Sequence, residues 1–111
     1  MVAAWRDFRL GWQDPDIVRR IGYSYSTDGG KTWAVPALLP DPEPEHTSQS
    51  DPVVVCDMDG SFYISSTSRQ PVSGYNRQML VYKSVDNGQT FGLHAVAVPG
   101  SGGAGEDKEW L

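Results

Sequence analysis

Two octapeptides decide the fold of this chain, because they are copies of one turn-forming pattern. Residues 26–33 read Ser-Thr-Asp-Gly-Gly-Lys-Thr-Trp, and residues 84–91 read Ser-Val-Asp-Asn-Gly-Gln-Thr-Phe. Both fit Ser-x-Asp-x-Gly-x-Thr-aromatic, at an offset of 58 residues (84 − 26). Such self-similarity indicates a repeated structural unit. The shared positions are Ser26, Asp28, Gly30, Thr32 and Trp33 in the first copy and Ser84, Asp86, Gly88, Thr90 and Phe91 in the second.

The segments around the octapeptides repeat as well. Each octapeptide lies between two β-rich runs and follows a third, and helix-period apolar patterning is absent. Residues 57–60, Asp-Met-Asp-Gly, predict a tight hairpin turn. Four short antiparallel strands per repeat are typical of a β-propeller blade. We predict strands at 2–9, 20–25 and 34–39 in the first copy and at 51–57, 61–69, 77–84 and 92–98 in the second.

The residue types in the octapeptide suit a compact turn between two strands. Asp28 and Asp86 can accept hydrogen bonds from backbone N–H groups of the turn. Gly30 and Gly88 can adopt positive φ, and the hydroxyl side chains add further bonds. The aromatic residue that ends each copy is predicted to be an apolar plug between strands. These roles are structural, and carboxylates held in this way are poor candidates for acid–base chemistry.

The octapeptides resemble the Asp box, or bacterial neuraminidase repeat, of sialidase-like β-propellers. The resemblance covers nearly the whole chain and extends to residues 5–7, 51–54 and 107–111. It implies about two blades of a six-bladed all-β propeller. Residues 1–50 would form an incomplete blade with strands b–d, 51–106 a complete blade, and 107–111 the first strand of the next blade. In this family the Asp box lies away from the ligand-binding face.

The resemblance implies a parent protein of the exo-α-sialidase type, a glycoside hydrolase that removes terminal sialic acids. Such enzymes use three arginines on the substrate carboxylate, a tyrosine nucleophile activated by a glutamate, and an aspartate acid/base. The family's Arg-Ile-Pro signature is missing here, and spacing identifies no Tyr–Glu pair. We therefore assign no catalytic residue and expect the isolated chain to be inactive. By resemblance, the parent is secreted or displayed at the cell surface.

Two alternatives to the hydrolase stay open at this point. In the first, the parent is a non-catalytic propeller that binds glycans or proteins. Alternatively, the chain is a small two-blade protein that closes a propeller with further copies of itself. Its expected partners are thus a glycan ligand and either the remaining blades or other copies.

Blade topology places the candidate ligand-binding loops at the end opposite the Asp boxes. Arg9, Arg69 and Tyr75 are the candidate substrate-binding residues there, with the two arginines offering guanidinium groups to a carboxylate. The competing interpretation is that these arginines simply end surface strands and that the tyrosine packs. The loops themselves, 10–18, 41–50, 70–76 and 99–106, also carry Trp12, Asp14, Asp16, Glu43, Glu45, His46 and Glu106.

The composition of the chain argues against several kinds of partner and site. The formal net charge of −5 argues against nucleic acid as the main partner. No apolar stretch approaches the roughly 20 residues of a membrane helix, and the first residues lack a signal-peptide pattern. The single cysteine, Cys56, excludes an intrachain disulfide, and its apolar neighbours predict a buried thiol. His46 and His94 are far apart in the repeat, so we predict neither a metal site nor a cofactor.

Overall fold

A computed structural model of the chain describes residues 1–10, 19–40, 48–69 and 77–98. These ranges contain seven strands and no helix, and therefore none that could span a membrane. The strands are β1 (Val2–Asp7), β2 (Arg20–Tyr25), β3 (Ala37–Leu38), β4 (Ser48–Cys56), β5 (Phe62–Arg69), β6 (Arg77–Ser84) and β7 (Gly92–Val98).

The strands form two antiparallel sheets in which neighbours in sequence are neighbours in space. Sheet one has the order β1-β2-β3, and sheet two has the order β4-β5-β6-β7. Neither sheet closes on itself within the described ranges. The prediction of an all-β chain built from antiparallel strands is confirmed.

Three strands differ from the prediction by two residues or more. The first, predicted at 2–9, ends at Asp7. The first strand of the second copy begins at Ser48 instead of residue 51, and the Gln49 N–H donates at 2.8 Å to the carbonyl of Arg19, one residue before β2. A bulge follows between Ser50 and Val53. In sheet one, β3 has only 2 residues, and Pro36 immediately before it has no N–H to donate to a ladder.

The core lies between the two sheets. Ile21 and Tyr23 of sheet one pack with Ile64, Leu80 and Tyr82 of sheet two in one buried cluster. Period-2 alternation places these residues on the facing sides of their strands. We call the face of each sheet that lies in this interface its near face and the opposite face its far face.

The second octapeptide is part of the same interface. Phe91 is 7% exposed, and its ring meets that of Tyr23 edge to face with centroids 4.9 Å apart. Gly88 has φ of 83°, and a Cβ at this position would lie 2.2 Å from Cγ2 of Val2. Only glycine lets the turn approach β1 this closely.

A buried glutamine bridges the sheets at the other end of the core. Gln49 is fully buried, its Nε2 donates to the Tyr82 hydroxyl at 2.8 Å, and its Oε1 accepts from the Ile21 N–H at 3.2 Å. The Tyr82 hydroxyl donates in turn to the carbonyl of Pro40 at 3.0 Å. One side chain therefore links β2, β4 and β6.

The exposure of Cys56 corrects the sequence prediction. Cys56 is a free, exposed cysteine at the last position of β4. Val54, two residues earlier, packs against the core. Cys56 ends the edge strand β4, and it is exposed although its partner Phe62 on β5 packs against the core, so an apolar sequence context does not bury the thiol.

We predict that Gln49→Leu lowers the free energy of unfolding by about 1–3 kcal/mol, because the buried Ile21 N–H loses its acceptor. Gln78→Leu is the matched control, since the buried Oε1 of Gln78 has no hydrogen-bond partner. Urea denaturation of the unaltered chain and of the two variants measures the free energy of unfolding of each. Equal stabilities of the two variants would contradict the bridging role of Gln49.

Candidate functional site

The carboxylate of each octapeptide holds its turn together. Asp86 Oδ1 accepts from the Thr90 N–H at 2.9 Å and from the Ser84 hydroxyl at 2.7 Å, and Oδ2 accepts from the Thr90 hydroxyl. The Ser84 hydroxyl also accepts from the Gly88 N–H at 2.9 Å. The first octapeptide repeats these bonds around Asp28, including a bond from the Thr32 N–H at 2.9 Å.

These hydrogen bonds favour the ionised carboxylates. The Thr90 hydroxyl and N–H, with the Ser84 hydroxyl, lower the pKa of Asp86 from 3.8 to about 2. The Thr32 hydroxyl and N–H, with the Ser26 hydroxyl, lower the pKa of Asp28 as well. A carboxylate already saturated with donors is a weak base, so these aspartates are suited to structure rather than to proton transfer.

The two aromatic residues of the octapeptides have different surroundings. Phe91 is buried against sheet one, whereas Trp33 is 44% exposed. Indole Nε1 of Trp33 donates to the carbonyl of Gly30 within its own turn at 3.1 Å. The prediction of an apolar plug thus describes Phe91 and not Trp33.

We predict that Asp86→Asn destabilises the chain at pH 7, on the order of 1 kcal/mol, because charge-assisted bonds to Thr90 and Ser84 are weakened. The folded pKa is lower than the unfolded one, so Asp86 stabilises the fold above about pH 4 and loses this effect as pH falls through about 2. Unfolding midpoints of the two proteins should therefore converge towards pH 2. Asp59→Asn, at an exposed position, is the control. If the unfolding midpoints of the unaltered chain and Asp86→Asn differ as much at pH 2 as at pH 7, the prediction is wrong.

A cleft of about 240 Å³ lies at the opposite end of the sheets from the octapeptides. It lies where β5 ends, where β4 and β6 begin, and beside the start of β2. We call it the arginine pocket, because four of its lining residues are arginines. The lining residues are Arg6, Arg19, Ser48, Ser50, Asp51, Thr67, Ser68, Arg69 and Arg77.

Two of these arginines converge on one hydroxyl. Nε and Nη2 of Arg19 both lie 3.3 Å from Ser48 Oγ, and Nε of Arg69 lies 3.4 Å from the same atom. Burial lowers the pKa of Arg19, and the positive charges of Arg69 and Arg6 lower it further. The guanidinium groups therefore lie close enough to repel one another.

Among the described residues of the pocket, one carboxylate accompanies the four arginines. Asp51 forms an ion pair with Arg6 and accepts a hydrogen bond from the Ser50 hydroxyl at 3.0 Å. Burial acts to raise the pKa of Asp51, but the bonds from Arg6 and Ser50 outweigh it, so the pKa lies below its ordinary value. Its φ of 53° is in the left-handed region, which is uncommon for a residue other than glycine. Among the described residues that line the pocket, positive side chains outnumber negative ones, an arrangement that can attract an anion.

Arg9, a predicted substrate-binding residue, is held by its own segment. Its Nε lies 2.9 Å and 3.0 Å from the two carboxylate oxygens of Asp7, and its Nη1 donates to the carbonyl of Pro36 at 3.3 Å. The hydrogen bonds from Arg9 lower the pKa of Asp7 despite its burial. Trp5 Nε1 also donates to Asp7 at 3.2 Å, so these three side chains form one network on sheet one.

The structure therefore separates the three candidate binding residues. Arg69 lines the arginine pocket, and Arg9 belongs to the Asp7 network instead. Tyr75 lies outside the described residues, so its role stays a prediction, as does substrate binding by either arginine. The same holds for the other loop residues singled out above, namely Trp12, Asp14, Asp16, Glu43, Glu45, His46 and Glu106.

Three pocket arginines were missed from the sequence. Arg77 faces Arg69 directly across the β5–β6 ladder, a pairing that follows from the predicted strands alone. Arg6 alternates with the apolar residues Val2 and Ala4 and so shares their face of β1. Arg19, one residue before β2, carries no such signal, because its position depends on the packing of β2 against β4.

No protein-family model, curated protein or solved structure matches the chain.

Proposed function

We propose that the chain forms about two blades of an Asp-box propeller of the sialidase-like kind, and that its arginine pocket binds the carboxylate of an acidic sugar. The observation that carries this proposal is the convergence of Arg19 and Arg69 on Ser48, with Arg6 and Arg77 in the same cleft. The four-stranded meander β4–β7 and the repeated octapeptides support the blade assignment.

Guanidinium groups suit a sugar carboxylate for geometric reasons. Each presents a planar fork of N–H donors that can bond to both oxygens of a carboxylate. The hydroxyls of Ser48, Ser50 and Thr67 line the same cleft and can hydrogen-bond to sugar hydroxyls. The chain as a whole is acidic, with a net charge of −5, so this positive cleft directs an anion to one place.

In the proposed parent enzyme these residues recognise and orient the substrate. The arginines hold the sialic acid carboxylate, and the Asp boxes maintain the opposite end of each blade. The tyrosine nucleophile, its glutamate and the aspartate acid/base are expected elsewhere in the complete propeller. Recognition without hydrolysis is therefore the activity expected of this chain.

We predict that N-acetylneuraminic acid binds the chain weakly and that Arg69→Met weakens binding by about 10-fold, the order expected for losing one charge-assisted contact. Titration followed by NMR chemical shifts measures the affinity and locates the bound sugar. Lys31→Met, which removes one positive charge at the Asp-box end, is the matched control and should bind normally. Equal affinity for a neutral sugar such as galactose, or no shifts near Ser48, would reject the pocket as a carboxylate site.

We predict that the isolated chain does not hydrolyse a fluorogenic sialoside, because the spacing of its residues identifies no tyrosine nucleophile paired with a glutamate. The assay is run at substrate concentrations that saturate binding, with a functional sialidase as the positive control. Turnover that survives repurification and disappears with Arg69→Met would show that the chain contains its own catalytic residues.

A further inference from the structure

The two faces of sheet two have different surroundings. Leu80 and Tyr82 on the near face of β6 are fully buried against sheet one. Met79 and Val81 alternate with them and therefore belong to the far face, where both are only half-buried. Val53 continues this apolar face on β4, since both Val53 and Val81 pair with Ser65 across the sheet.

In the internal repeat, the far face of sheet two corresponds to the near face of sheet one, which packs against sheet two within the chain. An offset of 58 residues places Met79 and Val81 at the positions of Ile21 and Tyr23, which form the near face of sheet one. The register between these strands and the next ones agrees, because Ala37 pairs with Tyr23 as Ala95 pairs with Val81. On the other side the offset is 61 residues, since Ala4 pairs with Tyr23 and Ser65 with Val81. Along β6 and β7, the far face of sheet two thus repeats the contact surface of sheet one.

The complementary surface is also present in the chain. Phe91, which packs on Tyr23, corresponds to Trp33 of the first octapeptide, and Leu80 corresponds to Gly22. Trp5 pairs with Gly22, and its indole lies over the space that a Cβ of Gly22 would take, so its ring occupies the far face of sheet one. Trp33 is 44% exposed, whereas Phe91 is 7% exposed. The far face of sheet one therefore matches that surface in position but not in side chains, since Gly22 and Ser24 stand where sheet two has Leu80 and Tyr82. Its large apolar rings come from Trp5 and Trp33 instead.

We infer that the far face of sheet two binds the far face of sheet one in a second copy of this chain, head to tail. Trp33 of one copy packs on Val81 of the other, as Phe91 packs on Tyr23 within the chain. The contact joins two different surfaces and is therefore heterologous, so each copy keeps one free face for the next. This inference does not rest on the proposed function, because no residue of the arginine pocket carries it.

The test is the molar mass of the unaltered chain and of two face variants, measured by light scattering over a range of protein concentrations without sugar. We expect the unaltered chain to exceed 12.2 kDa increasingly with concentration. Val81→Glu and Trp33→Glu each block one face, so each variant alone should remain at 12.2 kDa. A mixture of the two retains one intact pair of faces and should form a heterodimer of about twice that mass. Met58→Lys, at a fully exposed turn position, is the control and should associate normally.

Circular dichroism verifies that each variant is folded. If Val81→Glu does not fold, Met79→Arg replaces it, and if Trp33→Glu does not fold, Leu38→Arg replaces it. A chain that stays at 12.2 kDa at every concentration overturns the inference, and another segment or partner would then cover these faces. It is equally overturned if both variants retain the mass of the unaltered chain, or if the mixture does not associate. Because the measurement contains no sugar, failure here leaves carboxylate binding by the pocket unaffected.

Discussion

The packing of the second octapeptide against sheet one is the constraint on which the rest of the structure depends. Asp86 fixes the turn between β6 and β7, and the turn places Phe91 against Tyr23. Gly88 permits this approach because no Cβ stands between the turn and Val2. Gln49 secures the other end of the same interface through Tyr82. The relative position of the two sheets follows from these contacts.

That relative position creates the arginine pocket. Arg6 and Arg19 come from sheet one and the segment before β2, whereas Arg69 and Arg77 come from sheet two. Neither group forms a pocket alone. The second octapeptide is thus at the opposite end from the pocket yet determines it, since it orients the sheets whose other ends supply the pocket residues.

The sequence predicts local features of this fold better than features that depend on distant contacts. The turn chemistry of the octapeptide lies within eight residues, so it can be read directly and identifies the repeat. Strand alternation and register could also have indicated Arg77, opposite Arg69. Arg19 could not be found in this way, because Ser48 is 29 residues away and meets it only after the sheets pack. The exposure of Cys56 has a similar cause, since the packing of both sheets decides which residues of the edge strand β4 are covered.

The arrangement of charge in the pocket is difficult to explain by stability alone. Burial lowers the pKa of Arg19, and the positive charges of the nearby Arg69 and Arg6 lower it further, so its charged form is disfavoured. Asp51 compensates one of these charges, but it does so with φ of 53°, which is strained for an aspartate. A fold selected for stability would replace such a cluster with neutral side chains, because like charges and strained backbone both oppose folding. The same features favour anion binding, since a carboxylate in this cleft would lie among the positive charges of Arg6, Arg19 and Arg69.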